Sequence, residues 1–220
     1  MRIPQNFMFA ALMGVMAAGI AFWAQAGTNE DSALDAPVEV SQADAIFAGG
    51  CFWCVEADFD KVEGVLDTIS GYTGGRIDNP TYKQVSKEDT GHYEAVRVIY
   101  DPSIVTYEEL VSYFWRHVDP TDADGQFCDR GESYRTAIFV DTEEEREIAA
   151  SQKAAIDAAG YLPGPIVTPI LDEATFWPAE TYHQNYYKKN PARYLFYRTT
   201  CGRDGRIEKV WQDAPETGAE

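Results

Sequence analysis

Basic residues are scarce in this chain: 18 Lys and Arg stand against 36 Asp and Glu in 220 residues, for a formal net charge of −18. A surface that acidic gains nothing by displacing counterions from phosphates, so nucleic acid is excluded as a partner, and the charge reads as a solubility feature. Cysteine is held to four: Cys51, Cys54, Cys128 and Cys201. One C-x-x-C pair followed by two solitary residues lacks the paired ligand spacing of a structural zinc site. Val55 stands where a haem-attachment motif needs histidine. No internal repeat or low-complexity segment is present, and only one apolar run is long enough to raise the question of a membrane.

That run, from Phe7 to Trp23, follows Arg2 and precedes Ala24-Gln25-Ala26, a small-x-small cleavage pattern. Residues 1–26 are therefore expected to be a secretory signal peptide cut after Ala26. Because the run is near the lower limit for spanning a bilayer, an uncleaved anchor is the alternative. No cysteine directly follows it, which argues against a lipid-anchored form. The expectation is a periplasmic or secreted protein with no stable membrane association after processing. Residues 27–43, small and acidic, read as a flexible lead-in. Residues 44–211 read as one catalytic domain with a substantial core, and 212–220 as a disordered tail.

Within the domain, strands and helices alternate. Ala45-Ile46-Phe47-Ala48 is a strand signal that leads through Gly49-Gly50 to a helix beginning near Cys51. Val65–Tyr72 reads as a strand closed by Thr73-Gly74-Gly75, residues 81–87 as a short helix, and Glu94–Tyr100 as a strand ended by Asp101-Pro102. Thr106-Tyr107-Glu108-Glu109 is a capping box opening an amphipathic helix to about His117. A polar loop over 119–132, a strand over 134–140 and a Thr142-capped helix to about Ala159 follow. Ile166–Leu171 is predicted as a strand, and Ala179–Lys189 as a helix stopped by Asn190-Pro191. The fold class expected is α/β: two layers, helices on one mixed sheet.

The chemistry gathers at Gly49-Gly50-Cys51-Phe52-Trp53-Cys54. A thiol at a helix N-terminus faces free N–H groups and the positive end of the dipole, which favour thiolate. Two aromatics supply apolar walls, and a second thiol follows three residues on. This reads as a redox enzyme for an apolar, sulfur-containing substrate. Four further segments are distinctive: Gly71-Tyr72-Thr73-Gly74-Gly75, Thr90-Gly91-His92-Tyr93-Glu94, Asp129-Arg130-Gly131-Glu132-Ser133-Tyr134-Arg135, and Ala179-Glu180-Thr181-Tyr182-His183-Gln184-Asn185-Tyr186. In this order, over roughly residues 45–190, the five segments resemble the A-type peptide methionine sulfoxide reductases.

The resemblance implies a two-layer sandwich elaborating a ferredoxin-like core. It also implies reduction of the S epimer at sulfur of methionine sulfoxide, free or in proteins, with no metal and no organic cofactor. Cys51 would be the nucleophile, Glu94 the acid, and Tyr82 and Tyr134 the holders of the sulfoxide oxygen. Phe52 and Trp53 would embrace the S-methyl group, and Asp129 would orient the site. Such chemistry needs residues of these types. A sulfoxide sulfur is a poor electrophile until its oxygen is protonated, so a neutral Glu94 must donate as the Cys51 thiolate attacks. An ordinary glutamate is ionised at neutral pH, so the site must raise its pKa. His92, His117 and His183 are expected to be structural, and Glu180 and Tyr186 are candidates for lining the pocket.

Cys51 would emerge as sulfenic acid, which a second thiol resolves to a disulfide. Cys54, three residues on, is within reach on a helix. By resemblance Cys201, near the C-terminus, is the distal candidate, and Cys128, directly before Asp129, is a third. A thioredoxin-like protein of the exported compartment is the expected electron donor, and a monomer the expected state. Two rival readings are a thiol–disulfide oxidoreductase using Cys51 and Cys54, and a secreted binding domain with two structural disulfides.

Overall fold

The computed structural model describes residues 41–87 and 89–215; the expected signal segment, most of the lead-in and residues 216–220 lie outside the described residues. In chain order the elements are β1 (Ala43–Gly49), α1 (Phe52–Phe59), β2 (Val65–Thr73), α2 (Tyr82–Val85), β3 (Tyr93–Tyr100) and α3 (Tyr107–Arg116). The short strands β4 (Gly125–Gln126) and β5 (Asp129–Arg130) come next, then β6 (Thr136–Val140), α4 (Glu143–Ala159), β7 (Ile170–Asp172) and β8 (Trp177–Pro178). Three helices close the chain: α5 (Tyr186–Lys189), α6 (Pro191–Cys201) and α7 (Arg203–Trp211).

Six strands form one sheet in the order β7-β6-β1-β3-β2-β8, while β4 and β5 pair by themselves. Every pairing is antiparallel except β6 with β7, so the sheet is mixed, as expected. Side chains alternate between its faces. Ala45 and Phe47 of β1 join Val96 and Val98 of β3 and Ile138 of β6 in the larger core, which α1, α3, α4 and α7 complete through Phe59, Phe114, Ala149 and Val210. Ile46, Ala48, Ala95 and Phe139 turn to a smaller cluster beneath Phe176 on the other face. Phe47 lies between Phe59 and Phe114, with ring centroids at 5.0 and 5.2 Å; burying a ring of this size contributes ~1.5–3 kcal/mol. Glu94 has the parity of Val96 and Val98, and the strand therefore aims a carboxyl group at the helical layer.

The Thr106 capping box forms as expected. Glu109 N–H donates to Thr106 Oγ1 at 3.2 Å, and Thr106 N–H donates to Glu109 Oε2 at 2.8 Å. Two expected elements differ. The strand predicted over Ile166–Leu171 is confined to Ile170–Asp172, because Pro169 has no N–H to give the ladder and Val167 N–H goes instead to Pro120 O at 2.8 Å. The helix predicted over Ala179–Lys189 is helical only from Tyr186. Asn185, at φ 53°, breaks it, and the Gln184 amide spans the preceding turn to Ser70 N, Ser70 O and Ala179 O. Pro191 stops nothing further: it occupies the first turn of α6, where its missing N–H is harmless. The described chain also runs past the expected domain end at residue 211, with Pro215 O accepting from Arg116 Nη2 at 2.6 Å. Among the described residues no helix is long and apolar enough to cross a membrane.

Candidate active site

Cys51 occupies the N-cap of α1, immediately after β1 and the turn at Gly49-Gly50. Gly50 has φ +84°, and a Cβ there would lie 2.6 Å from Gln126 Cβ. The Gly-Gly pair therefore serves to swing the chain from the end of β1, an interior strand, to the helix against the β4 ribbon. The thiol is 6 % exposed and Cys54 2 %. At Cys51 other influences oppose the thiolate-favouring helix terminus. Burial pushes the Cys51 thiol well up, and its hydrogen bond with Cys54 and the charges of Cys54, Glu94 and Asp129 push the same way. Cys54 is the member of the pair that is lowered, by the hydrogen bond from Cys51 against burial, and then by the guanidinium groups of Arg203 and Arg198.

Of these two arginines Arg203 is buried and Arg198 half-buried. Arg198 Nη1 donates to Asp58 Oδ1 at 2.8 Å, Arg203 Nε lies 3.5 Å from Asp58 Oδ2, and Arg203 Nη1 donates to Gly49 O at 3.0 Å. Arg198 also pairs with Asp204, and Lys61 Nζ reaches Asp58 Oδ1 at 3.2 Å; within this network the two guanidiniums favour a Cys54 thiolate and Asp58 opposes it.

Glu94, 2 % exposed, accepts from Phe52 N–H at 3.1 Å. Burial raises its carboxyl to about 8, with the charges of Asp129 and Cys54 adding to it and the Phe52 N–H and Tyr134 hydroxyl opposing. A carboxylic acid that is protonated at neutral pH beside a thiol is what the sulfoxide chemistry demands. Tyr82 and Tyr134 meet through their hydroxyls, and both feel the charges of Glu94 and Cys51. Burial raises both phenols, keeping them as donors. Glu180 fixes Tyr82 by accepting its N–H at 2.9 Å and the Tyr72 hydroxyl at 3.0 Å; it anchors a site residue from behind.

The aromatic pair divides its tasks. Phe52 is buried against Tyr72 and His183, at centroid distances of 5.8 and 5.0 Å. Trp53 is half-buried, stacked on Tyr186 at 3.7 Å, and its Nε1–H donates to His183 Nδ1 at 3.0 Å. That bond assigns the ring proton of His183 to Nε2. Among the other histidines, His92 is packed where a Cβ on Gly75 would fall 2.0 Å from its Nδ1, and His117 stacks on Tyr113 at 3.8 Å. Asp129 does not buttress its loop through its neighbours: Arg130 makes a two-pronged pair with Asp122, and Arg135 lies over the Tyr93 ring. Its partner is Tyr197 of α6, whose hydroxyl donates to Asp129 Oδ2 and also reaches Cys51.

Cys128 and Cys201 are joined by a disulfide, with Cα atoms 4.9 Å apart, whereas Cys51 and Cys54 are free. Cys51 and Cys54 are thus not held in a second disulfide here. The sequence reading did not find Tyr197, Asp58, Arg198, Arg203 or Glu56. Glu56 is fully buried, raised to about 7 chiefly by burial, and accepts from Asn185 N–H at 2.9 Å, fixing the turn that presents Tyr186 to Trp53. The spacing of Tyr197 and Cys201, one turn apart on a helix, was the available signal for the first.

A sequence profile described as "Peptide methionine sulfoxide reductase" matches residues 43–215. Among curated proteins, "Peptide methionine sulfoxide reductase MsrA 2" of Rhizobium meliloti is 55 % identical over 174 residues, covering 79 % of this chain and 86 % of that protein. "Peptide methionine sulfoxide reductase MsrA/MsrB" of Vibrio cholerae is 47 % identical over 202 residues, covering 92 % of this chain, which spans only about half (53 %) of that longer protein. Two solved structures resemble the fold. "Methionine sulfoxide reductase A of Corynebacterium diphtheriae" has a TM-score of 0.62 at 35 % identity, covering 68 % of this chain and 76 % of that one. Reduced Mxr1 from Saccharomyces cerevisiae has a TM-score of 0.65 at 30 % identity, covering 70 % and 88 %. With its Cys51, Glu94 and paired tyrosines assembled at one end of the sheet, the chain belongs to the peptide methionine sulfoxide reductase family, in its A-type branch.

Proposed function

We propose that the protein reduces the S epimer of methionine sulfoxide, free or in exported proteins, through a Cys51 sulfenic acid that Cys54 resolves. The observation that carries this reading is the neutral, buried Glu94 carboxyl held next to Cys51 with two phenol donors. Tyr82 and Tyr134 hold the sulfoxide oxygen and Trp53 walls the S-methyl group. Cys51 attacks sulfur as Glu94 gives its proton to oxygen. The Cys51 proton leaves along the existing hydrogen bond to Cys54, which the two guanidiniums keep ready to receive it. Collapse releases methionine and leaves Cys51–SOH. Cys54 then attacks that sulfur, the hydroxyl departs as water, and a Cys51–Cys54 disulfide remains.

No step calls on a metal or organic cofactor; electrons come from a dithiol protein of the thioredoxin class in the exported compartment. The rival thiol–disulfide oxidoreductase is disfavoured by the burial of both thiols, which a folded protein disulfide cannot reach. The test is turnover of protein starting at Gly27, with dithiothreitol, on separated epimers of a blocked methionine sulfoxide. Reduction of the S epimer alone, lost in Cys51→Ser, is expected. Failure on both epimers by a folded, reduced protein overturns the reading, and retention of an uncleaved chain in the cytosol overturns the assignment to exported proteins.

A further inference from the structure

The acidity of the chain is unevenly laid out. Between Glu180 and Asp204 there is no Asp or Glu, while five of the 18 basic residues fall there: Lys188, Lys189, Arg193, Arg198 and Arg203. Arg198 and Arg203 turn inward to Asp58, and Lys188 pairs with Asp60. Lys189 and Arg193 are exposed and make no ion pair among the described residues. The same stretch exposes three large apolar side chains, Tyr182 at 58 %, Leu195 at 65 % and Phe196 at 71 %. Scattered singly such residues would need no explanation, but these join the wall of the pocket. The Tyr182 ring lies 4.1 Å from His183, His183 lies 5.7 Å from Trp53, and Trp53 meets Tyr197 edge-on at 5.8 Å. A ridge of rings therefore runs from exposed Tyr182 along the wall to α6. Phe196 directly precedes Tyr197 and Arg193 lies one turn before it, so both flank the ring whose hydroxyl reaches Cys51.

We infer that this strip docks the polypeptide that carries the methionine sulfoxide, and that it selects an extended segment with apolar residues beside the sulfoxide and a carboxylate on the α6 side. The inference rests on the reductase reading and deepens it by naming the class of substrate. Oxidation makes an apolar methionine polar and disrupts the core that held it. The neighbours of the sulfoxide are then apolar residues that have lost their packing, and Tyr182 and Phe196, at the two ends of the ridge, cover them again. Arg193 supplies the charge for the carboxylate. The Tyr182 end differs, because the Glu180 charge is felt there, so an acid is accepted on one side only. The remaining acids of the chain repel such a segment from afar. At physiological ionic strength the Debye length is about 8 Å, which screens them and leaves close contact to the local cation. A second copy of the chain fits the strip less well, since it would bring Lys189 and Arg193 against their own kind with no carboxylate between them.

Blocked peptides, with dithiothreitol as the electron source, decide the matter. The set places methionine S-sulfoxide between leucines or between serines, with aspartate, asparagine or lysine two residues before or after it, and includes the blocked amino acid alone. For the wild type, leucine flanks are expected to exceed serine flanks in kcat/KM by about fivefold or more, through KM. Aspartate at one of the two places is expected to exceed lysine there by about two- to fivefold. Net charge alone gives the reverse order, because an acidic chain attracts lysine. Phe196→Ser should erase most of the leucine gain, and Arg193→Glu should turn the preference from aspartate to lysine. Both positions are exposed, so neither change opens the core. Lysine preferred by the wild type, or an aspartate preference that survives Arg193→Glu, overturns the inference, while turnover of the blocked amino acid keeps the reductase reading. No turnover of any substrate overturns that reading itself. A wild-type dimer dispersed by Phe196→Ser, or binding to anionic phospholipid vesicles lost in that variant, gives the strip to another occupant and overturns the inference as well.

Discussion

Replacing Glu94 by glutamine separates two consequences of one buried carboxyl. The folded protein holds this group at about 8 instead of the ordinary 4.5, and burial is the main cause. At 1.36 kcal/mol per pH unit the gap corresponds to about 5 kcal/mol at pH values above 8, and to about 3 kcal/mol at pH 7. The sign follows from proton uptake. Between 4.5 and 8 the folded chain holds a proton that the unfolded chain has lost, so stability is highest below 4.5 and falls as pH rises through 8. Glu94→Gln keeps an acceptor for Phe52 N–H and has no proton to lose. Its urea midpoint should match wild type near pH 4.5 and exceed it progressively toward pH 9. Catalysis should move oppositely. Single-turnover methionine release by the wild type should decline on the alkaline side near pH 8, and the glutamine variant should be slower by about 10²–10⁴-fold with that limb gone. An alkaline limb near the ordinary carboxyl range, or a variant as fast as wild type, would refute the assignment of Glu94 as proton donor.

Other perturbations address the frame around it. Gly50→Ala forces a side chain into φ +84° and onto Gln126, and should lower the thermal midpoint by an amount equivalent to about 1–3 kcal/mol; an unchanged midpoint removes the role given to this turn. Phe47→Ala, emptying the space between Phe59 and Phe114, should destabilise by about 3–5 kcal/mol in urea, and a loss below 1 would mean the core closes over the gap. Arg203→Met removes the fully buried partner of Asp58, leaving it Arg198 and the exposed Lys61, and should destabilise by about 3–5 kcal/mol. The same change should move iodoacetamide labelling of Cys54 to higher pH; labelling at the wild-type pH would show that Arg203 does not hold the thiolate.

What could be read beforehand was whatever has a short-range signature. The β1–turn–α1 unit, the Thr106 and Thr142 caps and the alternation along β3 each announce themselves within a dozen residues, and the five motif segments do converge on Cys51. Helices α6 and α7 were missed for a physical reason. None of the residues of α6 is buried, and it is held by polar reach, Tyr194, Tyr197 and Arg198 among them, so it carries no apolar stripe to detect. The 166–171 segment has a strand's composition, but Pro169 withholds the hydrogen bond that composition does not count. At Cys51 the short-range cue is weak, because a helix of eight residues offers only a modest dipole. Complete burial next to two acids and a second thiol outweighs it, and none of those neighbours except Cys54 is close in sequence.

The contacts of α1 with the end of the chain bear on when the enzyme becomes an enzyme. Trp53 is held by His183 and Tyr186, Phe52 by His183, Glu56 by Asn185 and Asp58 by Arg198 and Arg203. By Pro178 every strand of the six-stranded sheet has been synthesised, and none of these partners has. A chain emerging N-terminus first can therefore complete its sheet while the face of α1 that carries the thiols is still bare. Competence arrives only with the last forty or so residues, and a shortened polypeptide ending near Pro178 would carry the full sheet, the nucleophile and the acid, yet lack the His183 and Tyr186 side of its site and keep only Lys61 as counter-charge for Asp58.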